Sequence, residues 1–134
     1  MRDMTNFELS KKIAALYDTS NASGTYYHFK WHGEMKWDTY VPATYSITDT
    51  LDAFSIKDLF ELMPYCLIMK DTPVYLSVHK DVNGYSASYA DGQYYSDLCK
   101  SVELVDALGE LFLYLLEKGY IKGKNEEADG RGDQ

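Results

Sequence analysis

The side chains able to do acid–base or metal chemistry are few in this chain, and they are scattered. Histidine occurs three times, at His28, His32 and His79. His28 and His32 are four apart, a spacing that gives a metal pair on a helix. Their surroundings read as a strand, where the same spacing also shares a face but sets the two rings about 13 Å apart. No Asp, Glu or Cys cluster completes a ligand set, so no metal site is expected. His79 lies in an alternating segment whose wet face collects Tyr75, Ser77, Asp81, Ser86, Ser88, Tyr95 and Asp97. Such groups can serve acid–base chemistry or line a ligand site, which makes Tyr75, His79 and Tyr95 the ligand candidates. A solvated sheet face carries the same residue types without any such role. The chain has neither a phosphate-binding glycine loop followed by Lys-Ser or Lys-Thr nor a Gly-x-Ser-x-Gly elbow. Arg131-Gly132-Asp133 spells an adhesion tripeptide, which three residues reach readily by chance. No catalytic residue and no cofactor are assigned, and an enzyme ranks last among the functional readings.

The compositional oddity is aromatic. Thirteen tyrosines and two tryptophans exceed what a core of this size needs. Tyr26, Tyr27, Trp31, Trp37 and Tyr40 crowd one stretch, and residues with an apolar body and a polar tip favour interfaces. That stretch is either a recognition surface or a hairpin whose alternate residues fill the core. Base stacking would need a basic groove, and only Lys30 and Lys36 are nearby.

The elements that must position these groups follow from periodicity. Val74 to Lys80 and Tyr85 to Ala90 alternate apolar and polar around Asn83-Gly84, a pair suited to a type I′ hairpin loop. With that loop, Val82 opposes Tyr85, Lys80 opposes Ala87 and Val78 opposes Tyr89. Leu76, Val78, Val82, Tyr85, Ala87 and Tyr89 then share a greasy face. A second turn at Asp91-Gly92 adds Tyr94, Ser96 and Leu98. Leu104, Leu108, Leu111, Phe112 and Leu115 recur at helical spacing after Ser101 as N-cap, and Lys118-Gly119 is the stop signal. Val105, Leu113, Tyr114 and Leu116 make the last two turns apolar almost all round. Such a helix needs a sheet on one side and a helix or a partner on the other, so Leu113, Tyr114 and Leu116 are also interaction candidates.

Upstream, Phe7 to Tyr17 predicts a short amphipathic helix with Thr5 or Asn6 as cap and Phe7, Ile13, Leu16 and Tyr17 inward. His32-Gly33 turns a hairpin with strands near 25–31 and 35–41. Ala43 to Phe54 reads as irregular. Ser55 with Asp58 resembles a capping box opening a helix that buries Ile56, Leu59, Phe60 and Met63, and Pro64 ends it. Tyr65 to Lys70 is the first strand of the meander, turned by Asp71-Thr72-Pro73. The order α-ββ-α-ββββ-α predicts an α+β fold, a hairpin plus a four-stranded antiparallel meander with helices packed on it. One domain is expected over 1–121, with 122–134 a flexible polar tail.

Thirteen basic and 21 acidic residues give a net charge of −8, with no Lys/Arg cluster, which disfavours direct nucleic-acid binding. No apolar run approaches the ~20 residues of a membrane helix, and no basic-then-apolar leader opens the chain. Cys66 and Cys99 sit in apolar surroundings and read as buried thiols, the disulfide being the lesser reading. A cytoplasmic location is expected.

The segment Val105-Asp106-Ala107-Leu108-Gly109-Glu110-Leu111-Phe112-Leu113-Tyr114-Leu115-Leu116-Glu117-Lys118-Gly119-Tyr120-Ile121, after a Tyr-rich meander, resembles the C-terminus of small phage and prophage proteins from gut bacteria. Those proteins are mostly of unknown function, and the shared pattern carries no functional residues. The resemblance implies a small accessory protein of a mobile element. The expected function is binding of a protein, either a second copy or a host defence protein that it inhibits. The alternative is a small-ligand or nucleotide-binding protein with an aromatic-lined pocket.

Overall fold

The longest helix sets the architecture. The computed structural model describes residues 2–91 and 99–124. Helix α3 spans Leu104–Lys118, and Val105, Ala107, Leu108, Leu111, Phe112, Leu113, Leu115 and Leu116 are all buried along it. One side packs on strands β6 (Gly84–Ala90) and β7 (Cys99–Ser101), and the other on α1 (Phe7–Leu16) and α2 (Ile56–Leu62). A helix apolar nearly all round is thereby covered within the chain. Leu113 and Leu116, expected as contact residues, are core side chains for this reason, and Tyr114 is half-buried against the same core.

The α+β class and the four-stranded antiparallel meander are as predicted. Strands β4 (Cys66–Met69), β5 (Thr72–Asp81), β6 and β7 lie side by side in that order. The hairpin expected upstream is also present, as β1 (Gly24–Trp31) and β2 (Glu34–Asp38). It gains a third strand, β3 (Ile47–Ala53), from the segment expected to be irregular, giving the sheet order β2-β1-β3. β3 is a run of Thr and Asp with little apolar alternation, and it becomes a strand because β1 offers it a free edge.

The meander's inner face is the one read from the alternation, with Val74, Ala87 and Tyr89 fully buried. The register differs by two residues: Leu76 opposes Tyr89, Val78 opposes Ala87 and Lys80 opposes Tyr85. A two-residue shift keeps every side chain on its face, but it moves the loop to Val82-Asn83 and leaves Val82 99% exposed. The Asp81 carboxylate accepts from the Asn83 amide at 2.8 Å and fixes that corner. Gly84 follows with φ +135°, and a Cβ there would stand 2.5 Å from the Ser101 carbonyl oxygen. The loop before β5 is Lys70-Asp71, with φ of +52° and +63°, so Thr72 and Pro73 belong to the strand. The second expected turn enters 92–98, and Tyr94, Tyr95, Ser96, Asp97 and Leu98 lie outside the described residues.

Caps follow local chemistry. Asn6 caps α1, its side chain accepting from the Leu9 amide at 2.8 Å. Ser55 and Asp58 form the expected reciprocal capping box on α2. α3 starts later than Ser101: Glu103 is its N-cap, and Ser101 closes β7 with its hydroxyl accepting from the Glu103 amide. Gly119, at φ +83°, ends α3 with its amide bonded to the last turn's carbonyls. Phe60 is 44% exposed rather than inward, because Leu59 and Met63 already fill the buried side of that short helix. Cys66 is exposed on the margin of its sheet and Cys99 half-buried, and neither is in a disulfide.

The chain ends are tied to this core. Asp106 is only 5% exposed, yet it lies on α3 among apolar neighbours. It accepts from the Asn6 amide at 2.9 Å and pairs with the Arg2 guanidinium, whose own pKa is raised chiefly by that hydrogen bond. Within the stretch expected as a polar tail, Gly123 is buried, and Lys124 donates from its amide to the Leu16 carbonyl and from Nζ to that of Ala14, while 125–134 lie outside the described residues. Those contacts supply the cation that the last turn of α1 lacks. Gly109 lets α1 approach α3, since a Cβ there would stand 2.7 Å from both Leu9 Cδ2 and Thr5 Cγ2. Gly109→Ala is therefore expected to destabilise by about 1–3 kcal/mol, despite alanine's better helix propensity. Thermal unfolding checks it; an unchanged or raised Tm would contradict this packing.

Candidate protein-contact surface

The sheet β2-β1-β3 carries most of the aromatic surplus and keeps it largely apart from the main core. Each of its two faces has its own aromatic group. On one face Phe7 of α1 meets Tyr26 edge-on at 5.6 Å and Trp37 at 5.0 Å, and Trp37 stacks on His28 at 4.6 Å. The Tyr26 hydroxyl donates to the Thr5 carbonyl at 2.8 Å, and burial raises its pKa. On the other face Tyr45 folds back from the loop after β2, packing edge-on to Phe29 at 5.9 Å and against Trp31 at 5.2 Å. Lys36 caps the Trp31 ring at 5.4 Å. Phe29 is buried, yet it packs within this local group and not among the side chains that surround α3.

The free end of the sheet is apolar and open. Trp31 is 36% exposed, Met35 47% and Ile47 50%, whereas Tyr40, 72% exposed, lies beyond Asp38 at the end of β2 away from the turn. His32 and Gly33 turn the hairpin with φ of +51° and +87°, as a two-residue type I′ loop requires. Lys30 and Lys36 balance Glu34 and Asp38 between positions 24 and 47, so the net −8 of the chain resides outside this stretch. An aromatic surface with no net charge on an otherwise acidic protein is suited to burial against another protein.

The predicted residues separate into two classes. Tyr26, Tyr27 and Trp37 are half-buried and build the sheet, whereas Trp31 and Tyr40 face solvent. Met35, Tyr45 and Ile47 were not legible as members of this surface. Tyr45 and Ile47 lie in the segment read as irregular, and Met35 stands between Glu34 and Lys36 in a largely charged strand. Alternation in a regular β3 would have been the signal for Ile47.

Of the ligand candidates, Tyr75 and His79 stand exposed on one face of the meander. Tyr75 is exposed beside the Tyr65 ring at 5.3 Å, and Tyr95 lies outside the described residues. His79 Nε2 is 3.0 Å from Ser77 Oγ, a Ser–His pair on the open sheet face with no carboxylate to orient the ring among the described residues. His28 Nδ1 is 3.1 Å from Thr48 Oγ1, and His32 sits in the turn. Among the described residues, no group of three or more His, Cys, Asp or Glu side chains could hold a metal ion. A groove of about 250 Å³ does exist elsewhere, between the loop after α1 and α2, lined by Tyr17, Asp18, Asn21, Phe54, Asp58, Glu61 and Leu62.

The sheet is anchored beside that groove. Asp58 accepts from the Ser23 amide at 2.8 Å, the Ser23 hydroxyl at 2.7 Å and the Ser55 amide at 2.9 Å. The α2 capping box thus also holds the residue that leads into β1. Partial burial opposes ionisation of Asp58, but the bonds from Ser55 and Ser23 outweigh it and hold its carboxyl below the usual range.

Comparison with protein-family models, with curated proteins and with solved structures finds no significant match. Among the described residues no helix is long and apolar enough to cross a membrane.

Because the folded pKa of Asp58 is lowered, its stabilising contribution is complete above the ordinary carboxylate pKa and is lost as pH falls through the folded value. Asp58→Asn is therefore expected to cost about 1 kcal/mol at neutral pH, with the deficit shrinking below about pH 4. Thermal melts across pH check this, and a deficit that does not change with pH would contradict it.

Proposed function

We propose that this chain is a small accessory protein that acts by binding another protein through the free end of the β1–β2 hairpin. The observation that carries the reading is the joint exposure of Trp31, Met35 and Ile47 near the turn end of a hairpin with no net charge. Trp is among the residue types that dominate binding energy at the centre of interfaces, and here Trp31 stands beside Tyr45, which also packs on Phe29. Little entropy remains to be lost when such a surface is covered. The resemblance of the last helix to phage and prophage proteins supports a mobile-element setting. There the partner would be a host protein, and the acidic remainder of the surface would favour one with basic character.

The test compares capture of partners from a bacterial lysate by the wild-type chain and by the triple variant Trp31→Ser, Met35→Ser, Ile47→Ser. Two of the three side chains are at least 47% exposed, so the fold is expected to survive with a modest loss of Tm. A partner found with the wild type is expected to bind the variant at least about 30-fold more weakly, as removal of a 2 kcal/mol anchor implies. Equal capture by both chains would overturn the hairpin as the contact surface.

A further inference from the structure

Four strands lie at sheet margins among the described residues, and they are not alike. β2 carries Glu34, Lys36 and Asp38, β3 carries Asp49 and Asp52, and β7 carries Lys100. Charges of this kind on a margin strand discourage pairing with another chain. β4 reads Cys-Leu-Ile-Met and has none. Although it is only four residues long, it has no proline within it and no register irregularity against β5, two further devices that protect a sheet edge. Its outward face is apolar and open: Ile68 is 61% exposed, Tyr65 just before it 78%, and Tyr75 on the adjoining strand 41%. Cys66 is exposed beside them.

We infer that β4 is a strand-pairing site and that its occupant is β4 of a second copy of this chain, antiparallel, forming an eight-stranded sheet across a twofold axis. Directly opposed residues in a sheet share a face, so a strand with small and branched apolar side chains outside and Leu67 and Met69 inside is matched best by one with the same alternation. β4 itself is such a strand. With the twofold axis perpendicular to the sheet, Leu67 opposes Leu67 of the second copy, and Cys66 opposes its Ile68. The α3 layers then lie on the same side of the continuous sheet.

Charge permits this pairing where the net −8 would otherwise resist it. Residues 62–69 contain no ionisable acid or base other than Tyr65 and Cys66. The flanks are neutral in pairs, Lys57 with Glu61 at 3.1 Å on α2 and Lys70 next to Asp71 in the turn. Antiparallel pairing therefore brings neutral ends together. This surface is distinct from the aromatic hairpin, so it stands or falls separately from the binding function proposed for that hairpin.

Sedimentation equilibrium over a concentration series reaching millimolar protein tests the inference, using the full chain, Ile68→Lys and Trp31→Ser. The wild-type mass is expected to rise from 15.4 kDa towards twice that value. Ile68→Lys is expected to weaken the dimer at least about tenfold with an unchanged Tm, since each lysine then replaces the apolar partner of Cys66 and the two like charges lie diagonally across the seam, within reach of long side chains. Trp31→Ser is expected to dimerise as the wild type does. A wild-type chain that stays monomeric throughout would overturn the inference. So would a dimer that survives Ile68→Lys, or one that is lost in Trp31→Ser.

Discussion

An apolar helix that must be covered on every side is the constraint from which the fold follows. Ten of the fifteen residues of α3 are buried, and each large aliphatic side chain removed from water contributes on the order of 1.5–3 kcal/mol. The meander covers one side and the two short helices the other. Asp106 interrupts that apolar surface, and a buried carboxylate is tolerated only when its oxygens are bonded. Arg2 and the Asn6 amide bond it, which draws the N-terminal segment across the head of α3. Thr5 then joins Phe54 through its amide and Tyr26 through its carbonyl. One buried acid thus links the helix core to the base of the aromatic sheet.

The aromatic sheet has a different physical basis. Its rings pack mainly on one another, with Phe7 bridging to α1 on one face and Tyr45 closing the other. A three-stranded sheet with both faces partly covered by its own rings can hold a rigid apolar end in solvent without drawing that end into the core. Rigidity and exposure together make it a candidate contact surface, whereas exposure alone is common for single apolar side chains.

Much of this was legible in the sequence. The 3.6 period of Leu104 to Leu115, the alternation on either side of the 82–84 corner, and the Ser55–Asp58 box are local signals, and they give the elements and the inward face of the meander. What was lost depends on contacts between distant segments. β3 has too little alternation to declare itself and is a strand because β1 pairs with it. Leu113 and Leu116 were read correctly as needing cover, but periodicity does not reveal that α1 and α2 supply it. Cys66 looked buried because its neighbours are apolar, whereas a margin strand leaves such residues in water. The two-residue register difference at Val82 came from an Asx bond at Asp81 and the close approach of Ser101 to Gly84, neither visible in a dipeptide preference.

The aromatic sheet packs mainly on its own rings and is thereby a separately stabilised unit attached to the α3 core. Native-state amide hydrogen exchange on the full chain, resolved by residue and followed through low denaturant, tests it most directly. Amides of α3, β5 and β6 are expected to exchange only through global unfolding, with the full denaturant dependence of that transition. Those of β1 and β2 near Lys30 and Met35 are expected to exchange through a smaller opening of lower free energy. If the two sets share one free energy and one denaturant slope, the sheet is part of a single cooperative core and the account is wrong.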